Sequence, residues 1–194
     1  MLPLYPRLGS TIAPTIVLLV ALLASALFPM GARAQDKPNV LSTYRLNSGD
    51  VISIRVFGED DFNREKIRLT DAGTVSFPIL GEIPVLGRTV GEIEHLLTDR
   101  LKGRYLVNPR VSVWIDEYRS FFVNGMVEKP GAYPFQPGLN VRKAVSIAGG
   151  FKERASVNKI FLVRDRDPAH RPAKVDLNAE IAPGDTITVE ESFF

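Results

Sequence analysis

The chain has 194 residues, no cysteine and a formal net charge of +2, so no disulfide framework and no thiol chemistry enters its fold or function. The first 34 residues hold Arg7 and Arg33 but no carboxylate, which leaves the rest balanced at 22 cations and 22 carboxylates. A neutral body lacks the basic footprint that binding a nucleic-acid backbone requires, so nucleic acid is not expected as a partner.

Behind Arg7, Ile16 to Phe28 form an apolar run, and Ala32-Arg33-Ala34 set small residues just ahead of Gln35. This is the layout of a cleaved secretory signal peptide over residues 1–34, with cleavage between Ala34 and Gln35. The run is shorter than the roughly 20 apolar residues a spanning helix needs. Residues 35–43 lack periodicity and read as a flexible lead-in. Without disulfides, stability must come from packing, and a chain of this size buries enough surface for two small cores.

From Tyr44 the pattern becomes regular. The turn Asn47-Ser48-Gly49-Asp50 precedes an alternation in which Ile52, Ile54 and Val56 share one face of a strand. Gly58 to Arg64 is an acidic, polar loop. Ile67 and Leu69 lead to a turn at Asp71-Ala72-Gly73, and Val75 and Phe77 continue beyond it. Pro78, Gly81, Pro84 and Gly87 punctuate the next segment too often for a helix, so short strands and tight turns are expected. Thr89 and Glu92 form a T-x-x-E capping box ahead of Val90, Ile93, Leu97 and Leu101 at helical spacing, with Gly103 as the stop. Val111, Val113 and Ile115 then alternate as a strand that closes a first domain, 44–116.

A second domain, 119–191, opens with a strand over Phe121 to Val127. Glu128-Lys129-Pro130-Gly131 supplies a turn in which Gly131 is expected at positive φ. Ala132 to Phe135 is the returning strand, and Asn140 caps a short helix carrying Val141, Ala144, Val145 and Ala148 on one face, ended by Gly149 and Gly150. Strands follow at Lys159–Val163 and Ala173–Leu177, with a charged loop at Asp165–Pro172 between them. Leu46 to Ile54 is echoed by Ile181 to Val189: each has a Gly-Asp turn, Gly49-Asp50 or Gly184-Asp185, launching an alternating strand. The fold class is therefore α+β, two small β-rich domains with one helix each.

Candidate chemistry is sparse. Asp50 and Asp185 are the only evident carboxylate pair, and two carboxylates can cleave a glycosidic bond. Their matched turn contexts favour accepting backbone N–H bonds instead. His95 and His170 stand apart with no ligand spacing around them, and Glu59-Asp60-Asp61 lacks the rest of a calcium loop. No nucleophile-elbow, phosphate-loop or dinucleotide glycine pattern is present, so no cofactor, no metal and no enzymatic activity are expected. Trp114, Tyr118, Phe121 and Phe122 are candidates for stacking on sugar rings, set against the ordinary use of aromatics in cores.

GMVEKPGAY and AGGF, around Gly125, Pro130, Gly131, Gly149 and Gly150, resemble the soluble ligand-binding β-grasp (SLBB) module of bacterial polysaccharide export proteins. YRLNSGDVISIRVF, DAGTVSFPILGEIPVLGRTVGEIEHLL (with Gly73) and NPRVSVWI resemble the other domain of that family, in the same order. The resemblance implies a polysaccharide export domain followed by a β-grasp domain, in a non-enzymatic periplasmic component of an exopolysaccharide or capsule export machine. It implies a homo-oligomeric ring that guides polymer and meets an inner-membrane polysaccharide copolymerase. The alternative is a β-grasp module that binds a soluble ligand or glycan outside any channel. Many members are lipoproteins, but this chain has no cysteine to lipidate. Only ten residues follow Gly184, and Ile187 and Val189 alternate as a strand, so a short form without the family's C-terminal transmembrane helix is expected. Such a form lies in the periplasm beside the outer membrane and depends on a separate outer-membrane β-barrel protein.

Overall fold

The computed structural model describes residues 43–192. The expected signal peptide, its cleavage position at Ala34 and Gln35, and the lead-in up to residue 42 lie outside the described residues. The elements run β1 (Val51–Val56), a 3-10 turn (Asp60–Phe62), β2 (Arg64–Arg68), β3 (Thr74–Phe77), β4 (Gly81–Pro84) and α1 (Val90–Leu101). β5 (Val111–Gly125), β6 (Gly131–Phe135), α2 (Val141–Ile147), β7 (Ala155–Val163), β8 (Pro172–Val175) and β9 (Thr186–Glu191) follow. This is an α+β fold with two β-rich lobes and one α-helix in each.

Both helices start where their capping chemistry requires. At α1 the Thr89 hydroxyl accepts from the Glu92 N–H at 3.2 Å while Glu92 accepts from the Thr89 N–H at 2.9 Å, two orphan donors satisfied reciprocally. At α2 the Asn140 side chain accepts from the Lys143 N–H at 3.0 Å. Gly149 and Gly150, at φ of 87° and 96°, reverse the chain after α2, a backbone region that side chains with a Cβ disfavour.

The strands form one mixed sheet in the order β2-β1-β5-β9-β7-β8 with β6 also on β5, and β3 and β4 make a separate hairpin. Ile54 opposes Val113 in the antiparallel β1–β5 pair, and Val123 opposes Ile187 in the parallel β5–β9 pair. The parallel pair needs a long crossover, and β6, α2, β7 and β8 supply it. One core gathers Ile52, Ile54, Val75, Phe77, Ile83 and Val113 under Ile93, Leu97 and Leu101 of α1. The other gathers Phe121, Val123, Ile160, Leu162, Ile187 and Val189 under Val141, Ala144 and Val145 of α2.

Two expectations need correction. The strands read separately at Val111–Ile115 and Phe121–Val127 are one 15-residue strand ending at Gly125. Its polar middle interrupts the apolar alternation, yet Glu117 still pairs with Val51 and Tyr118 with Phe135, so backbone bonding carries the strand through. Gly131 does not adopt positive φ; it begins β6 opposite Val123, and a Cβ there would meet nothing within 4 Å. The glycine under constraint is Gly125, at φ 83°, where a Cβ would stand 2.1 Å from the Val189 carbonyl oxygen.

Candidate functional site

The Gly-Asp turns are geometric copies. Gly49 and Gly184 take φ of 93° and 87°, and the aspartates after them are buried, Asp50 at 0% and Asp185 at 1% exposure. In each, one carboxylate oxygen accepts from the N–H three residues back, Asn47 or Ala182, both at 2.8 Å. The other oxygen accepts from a distant backbone N–H, Arg119 at 2.9 Å for Asp50 and Asp165 at 3.1 Å for Asp185. Burial of a carboxylate is tolerable because backbone dipoles and a hydroxyl or guanidinium replace its water. The Tyr44 hydroxyl takes that last place at Asp50, 2.8 Å away, and the Arg164 guanidinium takes it at Asp185, also at 2.8 Å. With their oxygens turned inward onto donors, the two carboxylates act as turn staples.

Arg119 ties the turns together. Its N–H serves Asp50, and its guanidinium donates through Nη2 to Asp165 at 2.5 Å and to the Pro183 carbonyl at 3.0 Å. Its Nε and Nη1 are buried with no acceptor among the described residues. Arg119 occupies the space that a side chain at either glycine would need: a Cβ on Gly184 would stand 2.6 Å from Nε, and one on Gly49 would stand 3.2 Å from the Arg119 Cβ. Beside Arg119, Tyr118 packs edge-on against Tyr44 of the first core at 5.2 Å and against Phe135 of the second at 5.5 Å. Burial, then the Asp50 charge, raises the pKa of both the Tyr44 and Tyr118 phenols above the ordinary value, so both stay protonated.

The remaining sequence candidates do not converge. His95 and His170 are exposed, and among the described residues no three His, Asp or Glu side chains gather as metal ligands do. Asp60 and Asp61 lie exposed in the 3-10 turn after Glu59, where Asp60 accepts from the Asn63 amide at 3.2 Å. Of the four aromatics, Phe121 is core and Tyr118 is the bridge between cores, while Trp114 (36%) and Phe122 (43%) are exposed. Trp114 lies under the Arg55 guanidinium at 5.6 Å and donates to Asp116 at 2.9 Å. Sequence reasoning missed Tyr44 and Arg119 as partners of the turns. Arg119 meets residues 46 and 64 positions away, and no local pattern marks it. No helix among the described residues is long and apolar enough to cross a membrane.

Comparison with known proteins bears on what this scaffold is used for. Residues 38–116 match the model of the polysaccharide biosynthesis/export protein family, and residues 120–172 match that of the SLBB domain. The chain is similar to the exopolysaccharide production protein ExoF of Rhizobium meliloti (strain 1021), 34% identical over 83 residues, which is 42% of this chain and 20% of that protein. It is similar to the EPS I polysaccharide export outer membrane protein EpsA of Ralstonia solanacearum, 27% identical over 55% of this chain and 35% of that protein. It is also similar to the polysialic acid transport protein KpsD of Escherichia coli, 28% identical over 75% of this chain and 28% of that protein. The matches thus span between a fifth and about a third of the length of these relatives. With both domain models matched in order, the chain belongs to the polysaccharide biosynthesis/export protein family and carries an SLBB domain.

Proposed function

We propose that the protein is a non-enzymatic component of an exopolysaccharide or capsular polysaccharide export machine, working in the periplasm beside the outer membrane. The observation that supports this best is the ordered pair of domain matches, 38–116 and 120–172, on two lobes that share strand β5. Three relatives named for exopolysaccharide production, polysaccharide export and polysialic acid transport agree with it. In this reading, copies of the chain assemble as a ring around the polymer's path, since one small subunit cannot enclose a polymer. The ring meets an inner-membrane copolymerase on one side and a separate outer-membrane barrel on the other. A body without net charge suits passage, because a strongly attractive wall would hold a charged polymer in place. Inward-turned, fully bonded aspartates suit a scaffold rather than an acid–base pair.

The test is deletion of the gene with complementation, measuring secreted and cell-retained polymer. Loss of secreted polymer with retention inside the envelope is expected, and unchanged secretion refutes the reading. Native mass spectrometry of the full chain, alone and with the copolymerase, tests the ring; monomer under both conditions refutes it. The second reading, a glycan-binding module outside any channel, predicts normal secretion in the deletion strain together with measurable glycan binding.

A further inference from the structure

Away from the paired turns, an open groove of about 720 Å³ lies along the edge strand β8, between β7 and the first turn of α2. Its size falls in the range of sites for small molecules and saccharide units. Four polar side chains line it without a hydrogen bond or ion pair to any described residue: Arg142, Lys174, Asn158 and Asn178. Among the described residues Asp176 is the only carboxylate in the lining, and it already accepts from the Asn178 N–H at 2.7 Å. Two cations therefore stand against one partly engaged acid. Val157, 49% exposed, and Leu177 give the groove an apolar strip. The amides that open α2 are not available to a ligand, because Val141 and Arg142 donate theirs to the carbonyls of Ala179 at 3.0 Å and Leu177 at 2.9 Å. Recognition falls to the side chains.

Their chemistry is specific. A guanidinium presents paired donors that match a carboxylate, an ammonium adds a point charge, and asparagine amides pair with hydroxyls as donor and acceptor at once. The apolar strip suits the C–H face of a sugar ring. A small inorganic anion would leave the amides and the strip unused, and a neutral glycan would leave both cations unpaired. We infer that the groove binds an acidic oligosaccharide, a segment of uronate-type sugar, and that the exported polymer is of this class. The second half of this statement rests on the export reading; the binding itself does not.

The full chain is titrated by calorimetry with hexagalacturonate, with maltohexaose of equal length, and with galacturonate monomer. Hexagalacturonate is expected to bind about tenfold or more tightly than either other ligand, a difference of about 1.4 kcal/mol. The double variant Arg142→Gln/Lys174→Gln, at two exposed positions, should lose that preference at an unchanged melting temperature. Asn158→Ala with Asn178→Ala should weaken the hexamer while sparing the monomer's weak binding. Equal affinity for the acidic and neutral hexamers, binding of the monomer as tight as the hexamer, no binding at all, or an undiminished preference in the double variant overturns the inference. Deletion of the gene separates the two proposals: normal secretion sinks the export reading whatever the groove binds, and blocked secretion beside a groove that fails these titrations sinks the groove alone.

Discussion

Replacing Gly125 by alanine isolates the closest backbone approach in the second lobe. At φ 83° an L-residue costs roughly 1–2 kcal/mol from its own sterics. The new Cβ would also fall 2.1 Å from the Val189 carbonyl oxygen, closer than Cβ contacts occur in proteins, so the end of the β5–β9 pairing must open. That same oxygen accepts from the Met126 N–H at 2.9 Å, and losing the bond adds about 1 kcal/mol. The total is about 2–3 kcal/mol, which for a chain of this size lowers the melting midpoint by roughly 4–12 °C. Gly131→Ala is the matched control. It introduces a methyl into open space at ordinary φ, and is expected to be neutral or stabilising by less than about 1 kcal/mol. Thermal and urea melts followed by circular dichroism decide the matter. If Gly125→Ala melts within about 2 °C of the parent, or Gly131→Ala loses as much as Gly125→Ala, the assignment of the constraint to Gly125 is wrong.

Asp50→Ala and Asp185→Ala should each cost about 3 kcal/mol, because each strands two backbone donors, and Asp50→Ala strands the buried Tyr44 hydroxyl as well; a neutral result at either in urea unfolding refutes the matched-staple account. Folded Tyr44 and Tyr118 ionise above the value of about 10 at which unfolded phenols lose their protons. The folded state therefore binds more protons above that pH, and the stability from these phenols is complete below about pH 10 and declines as pH rises further. Tyr44→Phe should flatten the decline seen in urea midpoints between pH 9.5 and 11, and an unchanged slope refutes its part in it. Thr89→Ala removes one half of the α1 capping box and should cost about 1 kcal/mol; an unchanged midpoint would show that Glu92 alone caps the helix.

What the chain declares by itself is whatever short-range physics can write. Thr89 and Asn140 mark both helix starts because a cap bonds to an amide three residues on, and such a bond needs no partner from elsewhere. The echo of Gly49-Asp50 in Gly184-Asp185 was visible because each aspartate bonds back three residues to Asn47 or Ala182. The order of glycine-rich motifs was enough to identify the family. The tertiary structure alone decided the rest. Residues 116–120 read as a break because they lose the apolar alternation, yet strands β1 and β6 hold them in a continuous β5. Pro130-Gly131 looked like the demanding turn by composition, whereas the demand falls on Gly125, through a carbonyl 64 residues away. Arg119 carries no signature, and its role exists only once Asp50, Asp165 and Pro183 arrive around it. The groove is likewise assembled from α2, β7 and β8, whose cations are unremarkable in sequence. Local bonds are legible because both ends lie within one turn of chain, and these features are not, because their second partner is supplied by folding.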